Sequence, residues 1–139
     1  MVVYPMAQAR SVMQQYRQIT AAAPDELCCL LILRNAPAAP YLPTSVHGKP
    51  IVAIAVCWTG SPADGRDAVL PLKTFARPPA DTIAAKPFVE HQTMLDAGQP
   101  FGRRYYWKSH YFADIGEDLI DALAEHAGRI ASPHSAALL

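Results

Sequence analysis

The sequence predicts an α+β protein, an antiparallel sheet with helices packed on one face and the other face exposed or covered by a partner. Two apolar runs, Glu26 to Arg34 and Ile51 to Trp58, succeed one another with no helical pattern between them. Strands joined without a crossover helix pair antiparallel. Amphipathic helical spacing precedes the first run and follows the second, and Arg104 to His110 reads as a late strand with one polar face. An antiparallel sheet of this kind buries one face under helices and leaves the other to solvent or a partner.

The elements follow in chain order. Met6, Ala9, Val12, Met13, Tyr16 and Ile19 fall at helical spacing, opposite Arg10, Gln14, Arg17 and Gln18, which predicts a helix over residues 6–20 that Pro24 stops. Glu26 to Arg34 is too short for a continuous apolar helix and reads as a buried strand. Four prolines and Gly48 make residues 35–50 an irregular connection. Ile51 to Trp58 is rich in β-branched residues and reads as the second strand. Ser61 as cap, Pro62 in the first helical position and Asp64 at the positive end of the dipole open a helix. That helix turns Ala68, Val69 and Leu72 inward and ends near Phe75.

Beyond the Arg77-Pro78-Pro79 turn, residues 80–86 read as a short edge strand and Pro87 to Ala97 as a helix with Phe88, Val89 and Leu95 apolar, ended by Gly98. The aromatic strand follows. Asp114 with Glu117 three residues on reads as a capped start for the last helix, with Ile115, Leu119, Leu123 and Ile130 as its buried stripe. Residues 131–139 turn apolar at their end without a terminating signal.

Composition narrows the class. A length of 139 residues corresponds to one domain with a real core. Twelve basic and twelve acidic residues cancel, with no long run of either sign, which argues against nucleic-acid binding. The apolar runs are far shorter than a bilayer span, so no membrane partner is expected. The N-terminus lacks the pattern of a secretory signal. Cys28, Cys29 and Cys57 form an odd set without metal-ligand spacing, and read as buried thiols in a reducing cytoplasm.

Residues 99–112 are the most distinctive stretch. A side-chain period of two places Arg104, Tyr106, Lys108 and His110 on one face of a strand and Tyr105, Trp107, Ser109 and Tyr111 on the other. Rings beside a Lys and an Arg fit a planar or anionic ligand, and equally an ordinary amphipathic strand with snorkelling cations. Other chemistry is thin. His91 and His126 have no second ligand at metal spacing, and Glu117, Asp121 and Glu125 form an acidic stripe at i, i+4, i+8 that reads as a solvated face. Adjacent Cys28 and Cys29 point to opposite faces of a strand and make no paired thiol.

Four pieces in register carry a family resemblance: Tyr4-Pro5 leading into a helix that ends Ala-Ala-Ala-Pro-Asp-Glu-Leu; Cys57-Trp58-Thr59-Gly60-Ser61-Pro62-Ala63-Asp64-Gly65; Met94-Leu95-Asp96; and Gly102-Arg103-Arg104-Tyr105-Tyr106-Trp107-Lys108-Ser109. Over nearly its whole length the chain resembles the substrate-side half of bacterial FAD-linked oxidases, the berberine-bridge-enzyme-like and 6-hydroxynicotine-oxidase-like members of the vanillyl-alcohol-oxidase superfamily. The resemblance implies a ferredoxin-like arrangement whose open sheet face roofs a flavin and shapes a small-molecule pocket. It implies FAD for the intact enzyme, held by a separate domain through a Gly-rich segment. That segment has no counterpart here, and the chain has only seven glycines.

Residues 1–139 are accordingly expected to form a single domain, part of a substrate-binding domain, with no cofactor on the isolated chain and little oxidase activity of its own. Arg104, Tyr106, Lys108 and His110 are the substrate-facing candidates. Lys108 is placed to stabilise developing negative charge. The alternative is a stand-alone homodimeric binding or assembly module without redox activity, its open edges covered by a second copy.

Overall fold

The computed structural model describes Met1–Leu139 throughout. A five-stranded antiparallel sheet forms from β1 (Val2–Pro5), β2 (Leu27–Asn35), β3 (Pro50–Trp58), β4 (Ala80–Asp81) and β5 (Ala136–Leu138), in the order β4-β1-β3-β2-β5. With α1 (Ala9–Ala21) between β1 and β2 and α2 (Pro62–Thr74) between β3 and β4, the first 81 residues run β-α-β-β-α-β. That is the ferredoxin-like arrangement. Two shorter helices follow, α3 (Phe88–Gln92) and α4 (Glu117–Ala127).

Alternation along the strands divides the sheet into two faces. One row aligns Val2, Ile54 and Leu31, and the next aligns Tyr4, Val52 and Leu33; all six side chains are fully buried. Onto them pack Val12, Met13 and Tyr16 of α1, Leu72 of α2, and Ile120 and Ala127 of α4. The long helices therefore share one face. The Tyr4 hydroxyl donates to the Leu72 carbonyl at 2.7 Å, and that of Tyr16 to the Cys29 carbonyl at 3.1 Å. Burial pushes both hydroxyls up to about 12, so they remain donors.

The opposite face presents Val3, Ile32, Ile51, Ala53, Ala55 and Ala80. Its alanines let the irregular connection settle onto the sheet through Ala36, Leu42 and Val46, while Met94 and Leu95 lean on it from beyond α3. No long helix covers this face, yet over most of its area it is neither exposed nor left to a partner, contrary to the expectation from the sequence: the proline-rich connection, too irregular to form a helix, buries it.

Local signals account for most boundaries. Ser61 accepts the Asp64 amide at 3.2 Å, Pro62 is the first residue of α2, and Phe75 caps its end. The helix expected over 87–97 is cut to α3 and a following 3₁₀ turn at Asp96–Gly98. Phe88 and Val89 point outward rather than into a core, because only Met94 and Leu95 reach the sheet.

The last helix departs from its expected start. Asp114 accepts the amide of its neighbour Ile115 at 2.7 Å instead of capping, and Gly116 occupies the cap position. Glu117 is drawn to α1, accepting from the Gln14 amide and the Arg17 guanidinium, each at 2.8 Å. Ile120 takes the centre of the buried stripe, with Ile115, Leu119, Leu123 and Ile130 half-buried around it. The acidic stripe is thus a paired one: Asp121 bridges to Arg10 and Glu125 to Arg129. The apolar tail supplies β5, and just beyond it Leu139 exchanges two backbone hydrogen bonds with Leu31 at 2.8 and 3.0 Å.

The hydrogen bond from Gln14, then that from Arg17, hold the Glu117 carboxyl below its usual range. A depressed folded-state pKa stabilises above the unfolded value, and the contribution disappears as pH falls through the folded one. Wild type is therefore expected to melt above Glu117→Gln at neutral pH, the gap closing on acidification below the ordinary carboxylate pKa. A gap unchanged down to pH 3 in paired thermal melts would contradict this origin.

Candidate functional site

The candidate residues Arg104, Tyr106, Lys108 and His110 do not lie on a strand. From Gln99 to Asp114 every residue is exposed, and Gly102 to Phe112 pairs with no strand. The correction has a physical cause. The β2 edge that a late strand could have joined is taken by β5, and the β1 edge by β4. With β4 and β5 on those stretches of edge, the aromatic segment joins no ladder and its two sets of side chains are not sorted into a wet and a buried face.

The segment is instead an excursion anchored at both ends. It leaves from beside Gly98, against the Arg34 guanidinium. Arg34 also donates to the Pro133 carbonyl at 3.0 Å, tying this departure to the turn before β5. It returns at Ile115, whose carbonyl accepts from Arg17 at 2.8 Å. The chain thereby passes from the open face, where Leu95 packs, to the helical face, where Ile115 packs.

Within the excursion, Tyr106 and Lys108 come together, with the ammonium 5.9 Å from the ring centroid, inside the range of a cation–π contact. His110 meets the edge of Phe112 at 5.0 Å, and the Tyr105 hydroxyl donates to the Pro100 carbonyl at 3.0 Å. Arg104, exposed like its neighbours, joins neither pair. Phe101, Tyr106 and Tyr111 are 106%, 83% and 97% exposed, and Trp107 and Phe112 are each 57% exposed. Between Asp96 and Asp114 there is no acidic residue, against three cations, Arg103, Arg104 and Lys108. The surface is suited to a flat, electron-rich or anionic group.

Rings this exposed contribute little to the fold. Tyr111→Ser and Phe101→Ser are expected to change unfolding free energy by no more than about 0.5 kcal/mol, as for surface substitutions generally. Denaturant melts check this; a loss above about 2 kcal/mol would mean that the rings pack on the body after all.

A second feature lies on the open face. Cys28, Leu30, Ala55, Cys57, His91 and Met94 line a groove of about 220 Å³ between the sheet and α3. Cys28 is exposed and Cys57 half-exposed, which corrects the expectation of buried thiols. The reason is topological: β1 pairs with β3 only from Ile51 to Ile54, and β5 reaches β2 only from Leu31 onward. Residues 27–30 and 55–58 therefore project as a two-stranded ribbon that the long helices cover on one side and only the short α3 approaches on the other. Cys29, on the helical side, keeps its thiol pushed up to about 11, chiefly by burial. The Cys28–Cys57 alignment was legible only through the register of the hairpin, in which the two are direct partners.

An apolar groove of about 350 Å³ between α1 and α2, lined by Ile19, Ala22, Pro24, Leu27 and Pro71 among others, has no charged group and no acid or base. A scan against protein-family models and a comparison with curated proteins both give no match. No helix is long and apolar enough to cross a membrane.

Proposed function

We propose that this chain is the substrate-side portion of an FAD-linked oxidase, and that the excursion from Gln99 to Asp114 contacts the flavin ring or an anionic substrate held by a separate flavin-binding domain. One observation carries the reading: six aromatic rings and three cations, with no acidic residue among them, are held out from the body on a segment anchored at both ends. An isolated domain gains nothing from leaving that much ring area in water. The ferredoxin-like order of the sheet supports it, together with the four sequence pieces that resemble that family.

The residues fit contact with a flavin ring better than custody of the whole cofactor. Only Gly48 and Gly102 adopt positive φ, at 71° and 87°, and neither opens a helix that could receive a pyrophosphate. A bound flavin would supply the hydride-accepting chemistry. This chain's part is positional and electrostatic: Tyr106 offers a ring to stack, Lys108 a fixed cation beside it, and Arg104 and His110 offer further hydrogen-bond donors to an anionic group.

The test begins with the reading frames flanking the coding sequence. The proposal expects a flavin-binding domain there, and expects the purified chain alone to be colourless. Co-expression with that domain should give a yellow complex in which Lys108→Met slows substrate-driven flavin reduction by about 10²-fold, the usual effect of removing one group that stabilises developing charge. Flavin bands in the isolated chain, or a complex indifferent to Lys108 and Tyr106, would overturn it.

The same exposed rings favour one other reading, a homodimer closed through the excursion. Sedimentation velocity separates the two: a wild-type dimer that Tyr106→Asp dissociates supports self-association, and a monomer across micromolar concentrations removes it.

A further inference from the structure

We infer that Cys28 and Cys57 form a binding site for a soft monovalent cation of the Cu(I) type, on the open face and independent of the flavin reading. The two are direct partners across β2 and β3. Their pair belongs to the hydrogen-bonded set. The Thr59 amide donates to the Glu26 carbonyl at 3.1 Å and the Ala36 amide to the Lys49 carbonyl at 2.8 Å. Glu26–Thr59 and Ala36–Lys49 lie in the same register as Cys28–Cys57 and an even number of residues from it. Antiparallel pairs alternate between bonded and non-bonded types, so Cys28 and Cys57 share the bonded type.

That geometry separates two fates for the thiols. Facing Cβ atoms in a bonded pair stand about 5.5 Å apart, whereas a disulfide brings them to about 3.8 Å. Two metal–sulfur bonds of about 2.3 Å each set the sulfurs about 4.6 Å apart, a longer span than the S–S bond of about 2.0 Å and one that asks less approach of side chains at this spacing. The pair is therefore better spaced for an S–metal–S bridge than for an S–S bond.

The surroundings select the ion. No group of three His, Cys, Asp or Glu side chains is gathered anywhere that could hold a metal, so the tetrahedral set that zinc takes is not assembled. Two thiols remain, with the Met94 thioether and the His91 imidazole lining the same groove. Sulfur donors in low number favour Cu(I). Leu30 and Ala55 line the groove as well, shielding a bound ion from water on the apolar side. Binding is not a redox step: Cu(I) stays Cu(I), two S–H protons pass to the buffer, and two metal–sulfur bonds form.

The test is an anaerobic titration of the full chain with Cu(I) against a chromogenic chelator. Wild type is expected to take one equivalent. Cys28→Ser and Cys57→Ser are each expected to lose more affinity than the roughly 100-fold that accompanies loss of an outer-shell partner. Cys29→Ser, on the other face, keeps the site. Copper-edge absorption should show sulfur neighbours. Undiminished binding in either groove variant, or loss in Cys29→Ser equal to theirs, overturns the proposal. So does ready closure of a Cys28–Cys57 disulfide by oxidised glutathione, which would show the pair reaching the shorter spacing. A measurement on wild type alone guards against misfolded variants: one equivalent of Cu(I) should protect Cys28 and Cys57 from iodoacetamide, read by peptide mass spectrometry, and unprotected alkylation would refute the site.

Discussion

Ile54→Ala is expected to lower the free energy of unfolding by about 2–5 kcal/mol, the range for truncating a fully buried aliphatic side chain. Ile54 sits on the central strand β3, aligned with Val2 of β1 on one side and Leu31 of β2 on the other, all three fully buried. Above it lie α1, α2 and α4. Neighbours fixed by two ladders cannot collapse into the space a lost side chain leaves, so the upper half of the range is expected. Leu30→Ala provides the contrast. Leu30 is half-buried on the open face, beside the groove, and its truncation should cost about 1–1.5 kcal/mol, in proportion to the smaller area returned to water. Urea melts of the two variants decide it. Equal losses would mean that this face is packed as tightly as the helical one at Leu30.

Gly65→Ala should destabilise by about 1–3 kcal/mol, the cost of overpacking, although alanine in a helix ordinarily gains about 0.8–1 kcal/mol over glycine. The sign turns on Trp58. Its indole Nε1 donates to the Ser61 carbonyl at 2.7 Å, which lays the ring across the first turn of α2. A Cβ on Gly65 would come within 2.5 Å of Trp58 Cδ1, and one on Gly60 within 2.8 Å of Trp58 Cζ2. The Gly60 and Gly65 of the Cys57-to-Gly65 piece are thus the floor on which Trp58 rests. In a Trp58→Ala background the clash is gone, and Gly65→Ala should become neutral or stabilising. A double-mutant cycle by thermal or urea melts reads this reversal; an alanine that destabilises equally in both backgrounds would move the cause to the backbone of α2.

Trp58 also shows how local and distant information divide. Ser61, Pro62 and Asp64 mark the start of α2 within four residues, and the helix begins where they place it. The pairing of β2 with β3 follows likewise from long apolar patterns whose connection has no α-helix, whereas the first helix, expected from residue 6, opens as a 3₁₀ turn at Met6–Gln8 and becomes α1 at Ala9. What the sequence could not convey is which strand edges would be free. Arg104 to His110 has the alternation of a strand, yet it joins no ladder, while Ala80–Asp81 and Ala136–Leu138, segments with far weaker patterns, take places beside β1 and β2. Alternation states that a segment is able to pair; it carries no knowledge of competitors.

The candidate site divides along the same line. Its residue types are plain in the chain: a run rich in rings and cations without an acid. The sequence by itself determined the α+β class, the antiparallel β2–β3 pair and the capped start of α2. These rest on interactions within a few residues or between long adjacent patterns. Only the tertiary structure decided that the excursion stands clear of the sheet, that Glu117 leaves its cap for Arg17 and Gln14, and that Cys28 faces Cys57 on a projecting ribbon. Each of those depends on which of several distant partners reaches a group first, and that outcome is set by packing of the whole chain rather than by the residues beside it.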